Sequence, residues 1–539
     1  MTVLRYLLAT VVLFVVLIQP NHPQAMTWGA LRLFPLELPF LIAGLVLLGR
    51  SAFGYVFRAA LVGALGVIVL LKLADFSTFI AFNRGFNLLV DLGLVHAGWT
   101  LLQGSIGVPL AALAAIGAIL AFTALIGALW WATGVWAALP VARTGRVIAA
   151  LMLVPTSAAA VAEIGQARRA WSLPETVRAA LPGAAFTARV GIERVEQFRD
   201  TRADIIAFRE AAMQDPMRGA GPLLDRLEGR DLILLYVESY GRSSFENPLY
   251  VPTHTATLQA MEDDLRARGL SMRSGWATAP MVGGQSWLTH GSVASGMWLN
   301  TQGRYRALLA SPRQTLFHFA QEAGLRTVAI KPAHIFPWPE GDYFGFDAIY
   351  NSADLGYQGA PFNWVTMPDQ FTLHALDRLE RDQPDRDPQV VQVALVSSHA
   401  PWVPIPELVD WDEIGDGTIF NQWALSGDPP EVVWRDHDRV RDQFRLAVDY
   451  SLQAVGAWAA RHADNPPLIV MLGDHEPAGF VSGVHGYDVP VHIIGPDDLV
   501  SRFAQIGWTE GMQPAPDLPA LRIDRLRDLL LERLSTGAP

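Results

Sequence analysis

The sequence predicts an α-helical transmembrane bundle of about five spans, followed by an α/β domain with a central, mainly parallel sheet. Three observations carry this expectation. The mean hydropathy of the whole chain is +0.24, high for a water-soluble protein. The apolar residues crowd into positions 1–165, whereas 166–539 is rich in Asp, Arg and Pro. In that second part, short apolar runs end abruptly on polar residues and alternate with helical patterns, the signature of strands and helices wound together. A chain of 539 residues also exceeds what one hydrophobic core usually serves.

The bilayer core needs roughly 20 mostly apolar residues in a helix. Stretches 3–20, 56–75, 108–138 and 147–165 meet that need, and 33–49 is a weaker fifth because of Glu37 and two prolines. The segment 80–103 mixes Asn83, Arg84, Asn87, Asp91, His96 and Trp99 with apolar residues, which suits a helix lying at the membrane surface. No small-x-small cleavage site follows the first apolar run, so it reads as a retained helix. With five spans and a cytoplasmic N-terminus, Arg50, Arg58, Arg143 and Arg146 fall on the cytoplasmic side, and the long outer loop 76–107 holds only Arg84. The positive-inside rule then puts the C-terminal domain outside the cytoplasm. The expected location is a bacterial inner membrane, crossed several times.

The expected domains are a transmembrane region 1–165, a helical linker 166–222 and a catalytic domain 223–539. Arg168, Arg169, Arg178, Arg189, Arg194, Arg199 and Arg202 recur along the linker, as on a solvated helix face or one that meets anionic lipid. The formal net charge is −11, which argues against nucleic acid as a partner. There is no cysteine, so disulfides and thiolate-bound zinc are excluded.

Apolar runs at 231–237, 326–330, 391–396, 468–472 and 489–494 read as strands buried on both faces. Helical patterns at 254–268, 313–323, 369–380 and 441–461 separate them. In open α/β sheets ligands bind beyond the carboxyl ends of the strands. Glu238, His399, Asp474 and His475 each follow a predicted strand within a few residues. Carboxylate and imidazole ligands without thiol suit one divalent metal: Mn, Zn or Mg. Alone, an Asp-His pair is as readily a turn or helix cap; its weight comes from convergence with the other strand ends. Gly283-Gly284-Gln285-Ser286 precedes a helix expected over 287–297. Ser286 is then either a simple N-cap or a nucleophile beside a cation, at a helix terminus that favours anions.

This pattern resembles the alkaline phosphatase and sulfatase superfamily, above all its membrane-bound lipoteichoic acid synthases and phosphoglycerol and phosphoethanolamine transferases. The resemblance covers about 230–500 and implies a sulfatase-like fold. It implies Ser286 as catalytic nucleophile, with Glu238, Ser286, Asp474 and His475 on the metal and His399 on the substrate phosphate. Thr289 is a nearby competitor for the nucleophile. Phe344-Gly345-Phe346-Asp347 is similar to a family segment, and upstream of it Trp338, His334 or Lys331 match substrate-contacting positions, while the family's Arg has no counterpart. His485 resembles a later substrate-contacting His. Ser286 is followed by Trp287-Leu288-Thr289-His290, without the Pro and Arg that formylglycine formation needs.

The implied activity is transfer of a headgroup, phosphoglycerol or phosphoethanolamine, from a membrane phospholipid donor to an envelope glycan or lipid acceptor through a covalent Ser286 intermediate. A phosphate- or sulfate-ester hydrolase with the same site, and an inactive membrane scaffold, are the alternatives.

Overall fold

A computed structural model describes residues 2–539 except 83, 94, 96–97, 100–101, 104–106, 177–182 and 336–337. Asn83 and His96 of the expected surface segment, and Arg178 of the linker, lie outside the described residues. The chain divides into two compact units, Met1–Asp204 and Ile205–Pro539.

The first unit is helical: α1 (Thr2–Ile18), α2 (Glu37–Leu48), α3 (Ala52–Phe82), α4 (Val108–Ala137), α5 (Arg143–Ala167) and the start of α6 (Phe186–Ala212). Leu13, Leu17, Leu41, Val62, Leu65, Val69 and Leu129 bring α1 to α4 onto one core. The most apolar windows of α4 and α5 are only 6% buried, and Leu120 and Val154 are 64% and 72% exposed. Apolar surface presented all round a helix suits lipid and not water. Among the described residues three helices, Ala52–Ile80, Val108–Ala137 and Arg143–Ala167, are long and apolar enough to cross a membrane. The five-span expectation is met only this far. The other two apolar helices have 17 and 12 residues, and at about 1.5 Å per residue the shorter falls well below a bilayer core of about 30 Å.

Near 80–103, α3 runs on to Phe82, so the end of this long apolar helix occupies the start of the expected surface segment. Beyond it Arg84 grips the buried Asp91 through both carboxylate oxygens, at 2.6 and 2.8 Å. Linker arginines are ion-paired: Arg168 with Glu196, Arg189 with Glu163, and Arg194 with the buried Asp75.

The second unit is built on a nine-stranded sheet. Its principal strands are β1 (Leu232–Val237), β2 (Ser271–Thr278), β3 (Arg326–Lys331), β4 (Ala348–Asn351), β5 (Gln389–Leu395), β6 (Leu468–Gly473) and β7 (Asp488–Gly495). Their order is β2-β7-β6-β1-β5-β3-β4, with the short strands Thr509–Glu510 and Leu521–Arg522 on β2. From β6 to β4 all neighbours are parallel; β7 runs antiparallel to both β6 and β2. The expected parallel reading therefore fails for 489–494. β2 and β4 escape sequence periodicity, β2 because Ser271, Arg273 and Ser274 interrupt its apolar pattern.

Both faces are covered. Ile233, Leu235 and Val237 of β1 join one core with helices α7 (Val251–Ala267) and α9 (His437–Arg461). Leu232, Leu234 and Tyr236 join the other with α8 (Ser286–Ser295) and α10 (Arg525–Arg533). This alternation is the period of two that a strand imposes. The register decides the site: Val237 at the end of β1 lies opposite Leu395 of β5 and Gly473 of β6. The residues following these three positions emerge at one edge of the sheet.

Candidate active site

Glu238 and Asp474 leave adjacent parallel strands in register, so their side chains project from the same edge. The Ser239 amide donates to Asp474 Oδ1 at 2.8 Å, and the Ser239 hydroxyl to Glu238 Oε1 at 3.1 Å. Close approach is possible because residue 473 is glycine: a Cβ there would stand 1.7 Å from the Tyr240 carbonyl oxygen.

Ser286 reaches the same place from another element. Gly283, Gly284 and Gln285 have φ of 75°, 138° and 65°, and α8 starts at Ser286. The left-handed conformation is easy for glycine but costs Gln285 about 1 kcal/mol or more. The sharp turn projects the Ser286 hydroxyl onto Glu238 Oε2, to which it donates at 2.9 Å. Thr289 is turned away: it is fully buried, and its hydroxyl donates to the Asp474 carbonyl at 2.7 Å.

His475 completes the cluster. Its Nδ1–H donates to the Glu476 carbonyl at 2.9 Å, which leaves the Nε2 lone pair facing Glu238 Oε1 at 3.1 Å and Asp474 Oδ1 at 3.8 Å. A carbonyl can only accept, so this bond sets the tautomer. Among the described residues, Nε2 is buried without a hydrogen-bond partner. Ligand atoms of Glu238, Asp474 and His475 lie within 4.8 Å of one another. Three electron-rich atoms in so small a buried space repel unless a cation sits among them, so these residues fit a divalent metal.

The titration behaviour points the same way. Burial works to raise the Glu238 carboxyl, but the neighbouring His475 and His399 draw it below the usual range. Burial and the Glu238 charge hold Asp474 above it. Burial opposes protonation of His475, yet the two carboxylates push its pKa up. Two acids compete for one positive charge, a deficit that a metal ion removes.

Beside the cluster lies a cavity of about 450 Å³ whose lining includes Glu238, Ser286 and His399. Lys331, His334 and Trp338 line it as well. The Lys331 ammonium lies 5.2 Å from the Trp338 ring centre and 3.4 Å from His290 Nδ1. Burial lowers Lys331 to about 7, and burial followed by the Lys331 charge lowers His334 to about 4. Trp338 stacks on Phe344 and meets His334 edge to face.

His485 is not brought to this cavity. It sits exposed between Gly483 and Tyr487, outside the lining residues. Gln285, His290, Gln302, Tyr305 and Glu340 line the cavity too, although their sequence context alone does not mark them as site residues. His290 was findable, since a residue four positions after Ser286 shares its helix face. Gln285 lies in the Gly283-Gly284-Gln285-Ser286 turn, whose pattern drew attention to the serine, whereas Gln302, Tyr305 and Glu340 come from segments with no distinguishing pattern.

Residues 230–497 match the family model for sulfatases. Among curated proteins no relative matches the chain. Solved structures similar to it include the lipoteichoic acid synthase LtaP from Listeria monocytogenes, at 15% identity and a TM-score of 0.36, covering 57% of this chain and 73% of that one. The C-terminal periplasmic domain of EcEptC from Escherichia coli, in complex with Zn, is 14% identical with a TM-score of 0.38, covering 58% and 84%. The phosphoglycerol transferase GacH from Streptococcus pyogenes is 14% identical with a TM-score of 0.39, covering 63% and 82%. The sulfatase match lies wholly within the second unit and includes Glu238, Ser286, Asp474 and His475, so these residues belong to a sulfatase-like domain.

Proposed function

We propose that this protein is a metal-dependent phosphotransferase that moves a phospholipid headgroup, phosphoglycerol or phosphoethanolamine, onto an envelope glycan or lipid. The observation that carries the reading is the Ser286 hydroxyl, bonded to Glu238 at 2.9 Å beside a three-ligand cluster and open to the cavity. A hydroxyl so placed is a nucleophile, and the start of α8 is suited to the phosphoryl group it attacks.

Glu238, Asp474 and His475 would hold one divalent cation (Mn, Zn or Mg), with Ser286 as a fourth ligand; when bound, it would lower the pKa of the serine hydroxyl and offset charge on the phosphoryl oxygens. Ser286 Oγ attacks phosphorus in line, releasing its proton toward Glu238 Oε2. The bond from phosphorus to the diacylglycerol oxygen breaks, and that oxygen leaves with a proton from the site. His399 and Lys331 hold phosphoryl oxygens, while His334 and Trp338 pack against the headgroup. An acceptor hydroxyl then attacks the phosphoserine, its proton leaves, and Ser286 is regenerated. The apolar helices of the first unit keep the chain in the membrane that supplies the donor, which raises its local concentration. The bacterial inner membrane, with this domain outside the cytoplasm, is the location that suits both substrates.

The test is to incubate the full chain with phosphatidylglycerol or phosphatidylethanolamine radiolabelled in the headgroup. A label that appears on Ser286 and moves to added glycolipid supports the transferase. A label released only to water favours the hydrolase. No label on Ser286 with either donor sinks the covalent mechanism.

A further inference from the structure

We infer that Asp369 is a positioning residue for His399: from within the core it fixes the backbone turn that presents this histidine to the cavity. The inference rests on the reading of His399 as a phosphate-binding group. Asp369 opens the short helix Asp369–Leu376 and is fully buried. Among the described residues it has no ion-pair partner. Its Oδ1 accepts from the amides of Val396 at 2.7 Å and Ser397 at 2.9 Å, and its Oδ2 from the Ser451 hydroxyl at 2.6 Å. Its own amide donates to the Ser397 hydroxyl at 2.9 Å. The turn then closes with the His399 amide donating to the Val396 carbonyl at 3.0 Å.

The same turn is tied to the metal cluster. The Ser398 hydroxyl donates to the backbone carbonyl of Glu238 at 2.6 Å. Residues 396–399 are therefore set by Asp369 at one end and by the Glu238 backbone in the middle. Burial pushes the Asp369 carboxyl above the usual range, and bonds from Ser451, Ser397 and Val396 pull it back. A buried carboxylate without a cation is a costly way to build a core. What it supplies here is two strong, directional bonds from one oxygen to consecutive amides, and those amides begin the turn that ends on His399. Asp369 touches neither cavity nor cluster, so it acts through that turn.

Isothermal titration of the zinc-loaded full chain with inorganic phosphate tests this, because it separates weaker affinity from a smaller folded fraction. The proteins are wild type, His399→Ala, Asp369→Ala, Asp369→Asn and the double alanine variant. We expect each alanine variant to bind about tenfold more weakly, and the double variant no more than about threefold more weakly than either single, since coupled residues are not additive. Asp369→Asn keeps an acceptor but loses its charge, and should weaken binding about threefold with the same coupling. Losses that multiply to about a hundredfold, or an Asp369 variant that lowers the bound fraction without changing affinity, overturn the inference. Should Asp369→Ala fail to fold, Asp369→Asn decides alone, and unchanged affinity overturns it. If wild type binds no phosphate, or His399→Ala binds it normally, the reading of the site fails first and takes the inference with it.

Discussion

The hydroxyl of Ser286 donates to Glu238 Oε2 at 2.9 Å, joining the first residue of α8 to the first residue beyond β1. Ser286→Ala removes the nucleophile and leaves Glu238, Asp474 and His475 in place. Headgroup release should fall by about a thousandfold or more, with metal content unchanged. Loss of the metal along with activity would show that the serine builds the site and does not act in it.

Metal content is the direct check on the cluster. Elemental analysis of the purified full chain should find about one divalent ion per chain, and none after Asp474→Ala or His475→Ala. Chelation should abolish turnover and re-addition restore it. Full occupancy in either variant would move the metal elsewhere.

Lys331 provides a pH signature. Burial brings its pKa down to about 7, so the ammonium is charged below that pH and neutral above it. Anion binding should therefore weaken as pH rises. Sulfate, whose charge is constant in this range, should bind about tenfold more weakly at about pH 8.5 than at about pH 6. Lys331→Arg should flatten the profile, because a guanidinium stays charged. An unchanged slope in that variant assigns the titration to another group.

Gly473 tests the backbone geometry. A methyl group there meets the Tyr240 carbonyl oxygen at 1.7 Å, a clash with backbone that no side-chain rotation relieves. Gly473→Ala should destabilise the catalytic unit by about 3 kcal/mol or more, read as a lower melting temperature, and should weaken metal binding. A variant that melts like wild type would mean the loop after β1 yields freely.

The site was legible to the extent that its residues sit beside patterns with a strong local cause. Buried parallel strands must be apolar throughout, so the ends of β1, β5 and β6 stand out, and Glu238, His399, Asp474 and His475 follow them. Lys331 ends β3 and was visible in the same way. His485 was singled out only because it follows the Asp474-His475 pair by a short interval, and it sits exposed, outside the cavity lining. β2 was missed because an antiparallel strand near a sheet edge needs no continuous apolar run, and β7 was read with the wrong direction because an apolar run carries no arrow.

Residue order and chemistry were enough to establish an apolar helical part, an α/β part and the kinds of ligand atom available, since burial and hydrogen bonding constrain local composition. Which strand ends stand side by side, whether Ser286 or Thr289 faces the acids, and that Asp369 braces the His399 turn were decided by folding in three dimensions. Those facts depend on register and on contacts between segments from about fifty to more than two hundred residues apart, and no local pattern encodes such distances.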